Sequence, residues 1–342
     1  MTEPLKLPAE LPVELPVVVA PMAGGVSTPA LVAAASAAGA FGFLSAGYKT
    51  AATLREEISA VEALVPGTFG VNVFMPGEPA ADGTELRRYV DSLADDAAVL
   101  GVPAGEASWD DDDWMAKVED LLARPVPVVS FTFGCPEPPV VSALRGAGSG
   151  VWVTVTSERE AVIAAGCGAD CLVVQGAEAG AHRGTFAAAD PFDPRGALDL
   201  LVAVRAVTSL PLVAAGGIMT SSGVASALAA GAVAAQCGTA FLRCPESGAS
   251  AAHKAALADP SFDRTEITRA FSGRAARGLV NGFMRAHADA PAAYPEINNA
   301  TRPLRAAAAR TGDAQRMSLW AGTGYRLASD RPAAEVIESL IG

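Results

Sequence analysis

Short apolar runs recur along the chain, each closed by glycine, proline or a small polar residue and followed by a longer stretch with helical spacing of apolar positions. Residues 16–20 (PVVVA), 41–44, 68–74 (TFGVNVF), 126–131, 151–155, 171–174, 211–215 and 233–236 predict eight strands. Their apolarity is continuous rather than alternating, as in parallel strands covered on both faces. Between them the pattern predicts helices over 30–38, 54–64, 85–100, 158–165, 197–207 and 221–230. Thr28 caps the first, with Pro29 in its first turn and Gly39 at its end; Ser157 caps the fourth, and Ser221 or Ser222 can cap the sixth. Strand and helix alternate with short connections, which requires parallel pairing through right-handed crossovers. The expected fold is therefore α/β, a (β/α)8 TIM barrel, which needs about 250 residues. The surplus of this 342-residue chain falls mainly after the eighth strand. Residues 243–328, with a helical stretch over 291–310, are expected to form a mainly helical cap; 1–242 and 329–342 form the barrel, Pro332 opening its last helix.

Composition narrows the class. Apolar residues make up 51% and charged residues 18%, which points to a large buried core. A net charge of −12 argues against a nucleic-acid partner. The amino terminus lacks a basic cluster followed by an apolar segment, and no apolar run reaches the ~18 residues that span a bilayer, so a soluble cytoplasmic protein without a membrane partner is expected. The five cysteines are odd in number and form no CxxC pair, so neither a disulfide framework nor a metal site is expected. The acidic run Asp110 to Asp113 reads as a solvated helix entrance. Monomer and homodimer both stay open.

Candidate chemistry gathers where strands end. Residues 171–186 (CLVVQGAEAGAHRGTF) carry an apolar strand into a glycine-punctuated loop holding Gln175, Gly180, His182 and Arg183, and α/β folds place ligands at this carboxyl end. Gly216-Gly217 after the seventh strand and Gly238-Thr239 after the eighth fit a phosphate site built from backbone N–H groups. No G-x-G-x-x-G follows a strand and no G-x-x-x-x-G-K-[ST] occurs, so a single phosphate on an extended tail, a flavin mononucleotide or a sugar phosphate, suits the pattern better. Asn72 and Gln175, polar residues at the ends of apolar strands, could fix a planar ring. Arg183 either attracts an anion or braces its loop by an ion pair. Tyr325 and Arg326 reach the pocket or pack at the cap boundary, while His253 and His287 read as surface residues.

The segments APMAGGVSTPAL, FGVNVF, VVQGAEAGAHRG, LPLVAAGGI, AAQCGTAFL, ITRAFSGRAARG and LWAGTG, in that order over nearly the whole chain, resemble the nitronate monooxygenase family. The resemblance implies an FMN-dependent barrel that oxidises alkyl nitronates, such as propionate 3-nitronate, with dioxygen to carbonyl compounds and nitrite; whether neutral nitroalkanes are also substrates stays open. Met22 and Ala23 would lie by the isoalloxazine, and Asn72 and Gln175 would hydrogen-bond the flavin. Gly180, Gly216, Gly217, Gln236, Cys237, Gly238 and Thr239 would line its ribityl and phosphate end. His182 falls at the family's catalytic histidine, a sensible base because imidazole titrates near neutral pH. Arg183, Tyr325 and Arg326 are the candidates for substrate contact. The competing expectation is a related barrel, an NAD(P)H-dependent enoyl-acyl-carrier-protein reductase; a third is a flavin-binding module without turnover.

Overall fold

The computed structural model describes residues 5–7, 11–65, 69–80 and 83–342. Eight parallel strands, Val17–Val19, Phe41–Ser45, Phe69–Phe74, Val128–Thr132, Gly150–Val155, Cys171–Gln175, Leu212–Ala215 and Ala234–Cys237, pair in chain order and close on themselves. The register accounts for the continuous apolarity. Alternate residues point inward, so Phe41, Phe43, Val128, Trp152, Cys171, Val173 and Val213 fill the interior. The rings of Phe41, Phe43 and Trp152 pack with centroids 5.1–5.9 Å apart. The intervening residues, among them Val17, Val19, Leu172, Val174, Leu212 and Ala214, pack outward on the helices Pro29–Ala37, Ala197–Arg205, Ser221–Ala229 and Ala333–Ile341. A strand with both faces buried has no polar face to show in its sequence.

Helix ends differ from expectation where side chains decide them. Thr50 Oγ1 accepts from Thr53 N–H and starts the second helix at Ala51 rather than at 54. The cap of the helix after the seventh strand is Thr220, whose Oγ1 accepts from Gly223 N–H, and not Ser221 or Ser222. The stretch 85–100 is divided into Gly83–Ser92 and Ala94–Leu100. Pro332 precedes the last helix as its cap residue. The acidic run is more than a solvated entrance: Asp112 and Asp113 accept the N–H groups of Tyr48 at 2.9 Å and Ala51 at 2.7 Å, and Asp112 pairs with buried Lys117 at 2.9 Å. The start of the third predicted strand, Thr68, lies outside the described residues.

Residues 243–328, expected as a mainly helical cap, hold the helices Ala251–Ala258, Gly282–Ala286 and Glu296–Thr311 and also strands of a small sheet. Thr265–Thr268 pairs antiparallel with Ala276–Leu279, which in turn pairs with Ala181–His182. Tyr89 and Leu93 join Phe271, Phe283, Ile297 and Leu304 in one apolar cluster, so the insertion after the third strand packs into the same cover. Contrary to the surface reading, His253 and His287 are buried, at 7% and 4% exposure. His253 Nε2 lies 3.0 Å from Trp320 O, and His287 Nε2 lies 2.7 Å from Asp96 Oδ2. His253 faces the segment carrying Trp320 and His287 faces the insertion after the third strand, while Arg285 and Asp289 beside His287 are exposed. No helix among the described residues is long and apolar enough to cross a membrane.

Candidate active site

The inward-facing rows change from apolar to polar near the carboxyl ends of the strands. Ser45, Asn72, Ser130, Thr132, Thr154 and Gln175 continue the same inward alternation above the aromatic layer. Asn72 is 2% exposed, and its amide donates to Ser130 Oγ at 2.9 Å and Thr132 Oγ1 at 3.0 Å. Ser45 Oγ, also buried, has no hydrogen-bond partner. A polar layer with an orphaned hydroxyl beneath a cap is a floor prepared for a polar ligand. Of these residues only Asn72 and Gln175 stood out in the sequence; the others carry the same signal, a polar residue at or near the end of an apolar run.

Gln175 ties its own loop. Its Nε2 donates to His182 O at 3.0 Å, and its Oε1 accepts from Gly184 N–H at 2.8 Å. Arg183, 3% exposed, turns away from the mouth and donates to the carbonyls of Gln175, Thr156 and Asp193. It braces the loop, through carbonyls and not through an ion pair. Tyr325 Oη donates to Phe262 O at 2.6 Å inside the cap cluster, and Arg326 reaches the same carbonyl at 3.2 Å, so both pack at the cap boundary.

His182 is set by the small sheet, through its register opposite Ala276. Its Nε2 lies 2.8 Å from Ser272 Oγ. The rings of Trp320, Phe133 and Tyr294 surround it at centroid distances of 5.5, 5.8 and 5.9 Å. Burial first, and then the charges of Arg274 and Arg305, hold its pKa down to about 3, so the imidazole is neutral at physiological pH. Arg274, 1% exposed, stacks its guanidinium 4.0 Å from the Phe133 centroid and 5.3 Å from that of Tyr294, and its Nε has no partner. Three non-glycine residues with left-handed backbone, Tyr48 (φ 66°), Phe133 (φ 76°) and Ala181 (φ 62°), belong to this cluster or adjoin it. Such conformations cost about 1–3 kcal/mol each and persist only where surrounding structure enforces them. Sequence reading missed Tyr48 and Phe133, in the loops after the second and fourth strands, and Ser272, Arg274, Tyr294 and Trp320, which the segment 243–328 brings to the loop from far along the chain.

The other side of the mouth is glycine-built. A Cβ on Gly180 would stand 2.5 Å from Ala321 C and Gly322 N, and one on Gly217 would stand 2.9 Å from Glu178 Cβ. These glycines let the loops after strands six and seven and the segment 321–324 pass in contact. Thr239 Oγ1 accepts from Gly322 N–H at 2.9 Å, drawing the eighth-strand loop into the group. The N–H groups of Gly217, Thr239 and Ala240 have no acceptor among the described residues. Gly216 adjoins them with φ 116°, and Gln236 points inward beside Ala215. Met22 packs by Gly238, its Sδ 3.5 Å from where a Cβ would stand, and Ala23 packs on the Phe74–Phe133–Tyr294 cluster. Cys237 is different: its side chain lies in the outward cluster behind the strands and burial pushes its thiol up to about 12, so only its main chain borders the mouth.

An eight-stranded parallel barrel with a neutral histidine and an arginine enclosed at the carboxyl ends of its strands is the arrangement of a TIM-barrel enzyme. The sequence profile described as nitronate monooxygenase matches residues 9–342, and the chain belongs to that family of oxidoreductases. It is 40% identical over 336 residues to a nitronate monooxygenase of Pseudomonas aeruginosa, covering 95% of this chain and 94% of the relative. Among solved structures it is similar to nitroalkane oxidase from Streptomyces ansochromogenes, with 49% identity, a TM-score of 0.92 and coverage of 96% and 95%. FabK from Thermotoga maritima shares the architecture at 26% identity and a TM-score of 0.70, over 96% of this chain and 92% of that one.

Proposed function

We propose that the protein is an FMN-dependent nitronate monooxygenase that converts alkyl nitronates and dioxygen into carbonyl compounds and nitrite. The observation that carries the reading is His182, neutral and caged by aromatic rings beside the buried cation of Arg274, at a mouth whose opposite side offers unpaired backbone N–H groups. Those donors, from Gly217, Thr239 and Ala240, fit the phosphate of a flavin tail; Met22, Ala23, Asn72 and the orphaned Ser45 hydroxyl fit the ring end. Bound there, the flavin would supply the electron acceptor. The chain's own residues bind and orient the substrate. Arg274 favours an anion near the aromatic cage, the cap excludes water, and Nδ1 of His182, the ring nitrogen not engaged by Ser272, faces the choice of accepting a proton. The same positive field that attracts a nitronate disfavours imidazolium, which supports the ionised nitronate over the neutral nitroalkane as substrate.

Nitrite release in air from ethyl nitronate and from neutral nitroethane, by wild type and by His182→Asn, tests this. Bound flavin is expected to stay in the variant, with activity on the neutral nitroalkane falling further than on the nitronate. Equal losses on both would remove the proton-abstraction role. Anaerobic mixing with NADH separates the competing enoyl-carrier-protein reductase, since rapid bleaching of the flavin by NADH would favour that enzyme.

A further inference from the structure

Glu178, half-buried in the loop after the sixth strand, stands among glycines of three segments. A Cβ on Gly176 would come within 2.5 Å of its Oε2, and one on Gly196 within 2.4 Å of its Oε1. One on Gly217, after the seventh strand, would stand 2.9 Å from its Cβ and 3.3 Å from its Cγ. The chain leaves room for this one side chain at all three places.

Two anchors hold it. The helix Ala197–Arg205 begins at Gly196, which has no side chain to cap it, and the Glu178 carboxylate supplies the acceptor, taking the Ala197 N–H at 2.9 Å to Oε2 and 3.3 Å to Oε1. The negative charge is thereby turned toward the positive end of that helix. The main chain of Glu178 serves the opposite direction. Its carbonyl oxygen accepts from Thr323 N–H at 3.0 Å and lies 2.7 Å from where a Cβ on Gly322 would stand, and Gly322 N–H donates in turn to Thr239 Oγ1 at 2.9 Å. One residue thus links the start of the helix Ala197–Arg205 to Gly217 and Thr239, two of the three positions whose N–H groups have no acceptor among the described residues.

We propose that Glu178 is a positioning residue for the phosphate end of the cofactor site: its reach to Ala197, rather than its charge, holds the Gly217 turn and the segment 321–324 in place around the free N–H groups. The assignment rests on the function proposed above, since the phosphate is that of the flavin. Charge alone would act against it, because a carboxylate near a phosphate repels it unless the helix terminus offsets the charge. None of the ring-side residues Met22, Ala23, Asn72 and Ser45 is a hydrogen-bond partner of Glu178 among the described residues, so the ring end is held independently of it.

The full-length chain, freed of flavin by dialysis at high salt, is titrated with FMN and with riboflavin, and binding is read from the quenching of flavin fluorescence. Wild type is expected to favour FMN. Glu178→Ala, which loses the carboxylate, should weaken FMN by on the order of tenfold, the worth of one charge-assisted contact to the phosphate, and riboflavin by about twofold or less. Glu178→Asp keeps the charge but falls a methylene short of Ala197, so it should behave as Glu178→Ala does, and it carries the test if the alanine variant does not fold. Glu178→Gln keeps the reach and an acceptor, and should hold FMN as wild type does. An electrostatic role reverses this order, with Asp retaining FMN and Gln losing it, and overturns the proposal. Equal losses of FMN and riboflavin, or a lowered melting temperature with the ratio of the two affinities unchanged, overturn it also and leave Glu178 a cap of the helix Ala197–Arg205. A wild type that binds both flavins alike removes the phosphate site, and one that binds neither removes the flavin; each sinks the reading beneath the proposal and the proposal with it, whereas a wild type that favours FMN leaves the variant series to decide Glu178 alone.

Discussion

At the scale of single residues the buried histidines set a pH signature. Burial holds His182 to a pKa of about 3 and His253 to about 4, against about 6.5 in an unfolded chain. Between these values the unfolded chain binds protons that the folded chain refuses, so stability is full above pH 6.5 and falls as pH drops toward 4 and then 3. The slope is at most about 1.4 kcal/mol per pH unit for each histidine. Glu160 and Asp112, whose carboxyls burial pushes up, contribute with the opposite sign. Comparing wild type with His182→Asn isolates the histidine: denaturant unfolding at pH 7.5, 6 and 5 should show the shallower loss in the variant, and parallel losses would place the proton elsewhere. His182 was legible in the sequence because glycines and a strand end frame it. Its environment was not, since Ser272, Tyr294 and Trp320 stand 90 or more positions away and arrive only through the cap.

At the scale of elements, the histidine loop is an edge strand of a sheet whose other two strands belong to the cap. Cap position and histidine position are thus one variable. The eight barrel strands were readable because each must be apolar on both faces, whereas the cap strands, of the pattern TEIT and ARGL, are short and mixed in polarity. The two-part helix 83–100 is anchored to the cap by a polar clasp in which Asp96 accepts from Arg316 at 2.7 Å and lies 2.7 Å from His287. Asp96→Ala leaves buried His287 without its partner, a loss of about 1–3 kcal/mol. Arg316 retains Asp313 at 2.9 Å. Amide exchange should accelerate across 83–100 and 282–287 while the barrel strands keep their protection; uniform acceleration over the barrel would show that cap and barrel open together.

At the scale of the molecule, the barrel interior is filled below by Phe41, Phe43 and Trp152 and polar above, where Asn72 and the orphaned Ser45 hydroxyl face the carboxyl-end mouth. On the proposed function, a flavin at the mouth would accept the N–H groups of Gly217, Thr239 and Ala240 and meet the Ser45 hydroxyl, groups that are costly to bury unpaired. A cofactor bound only by the folded state stabilises it by about 2.7 kcal/mol when its free concentration is 100 times Kd. Removing flavin by dialysis at high salt should therefore lower the melting temperature by several degrees, and added FMN should restore it. Riboflavin, which lacks the phosphate, discriminates between the two sides of the mouth. If Gly217, Thr239 and Ala240 hold the phosphate, riboflavin restores less than FMN; if the two restore equally, the anchoring lies with the ring-side residues Asn72 and Ser45, and the loops after strands seven and eight are tight turns alone.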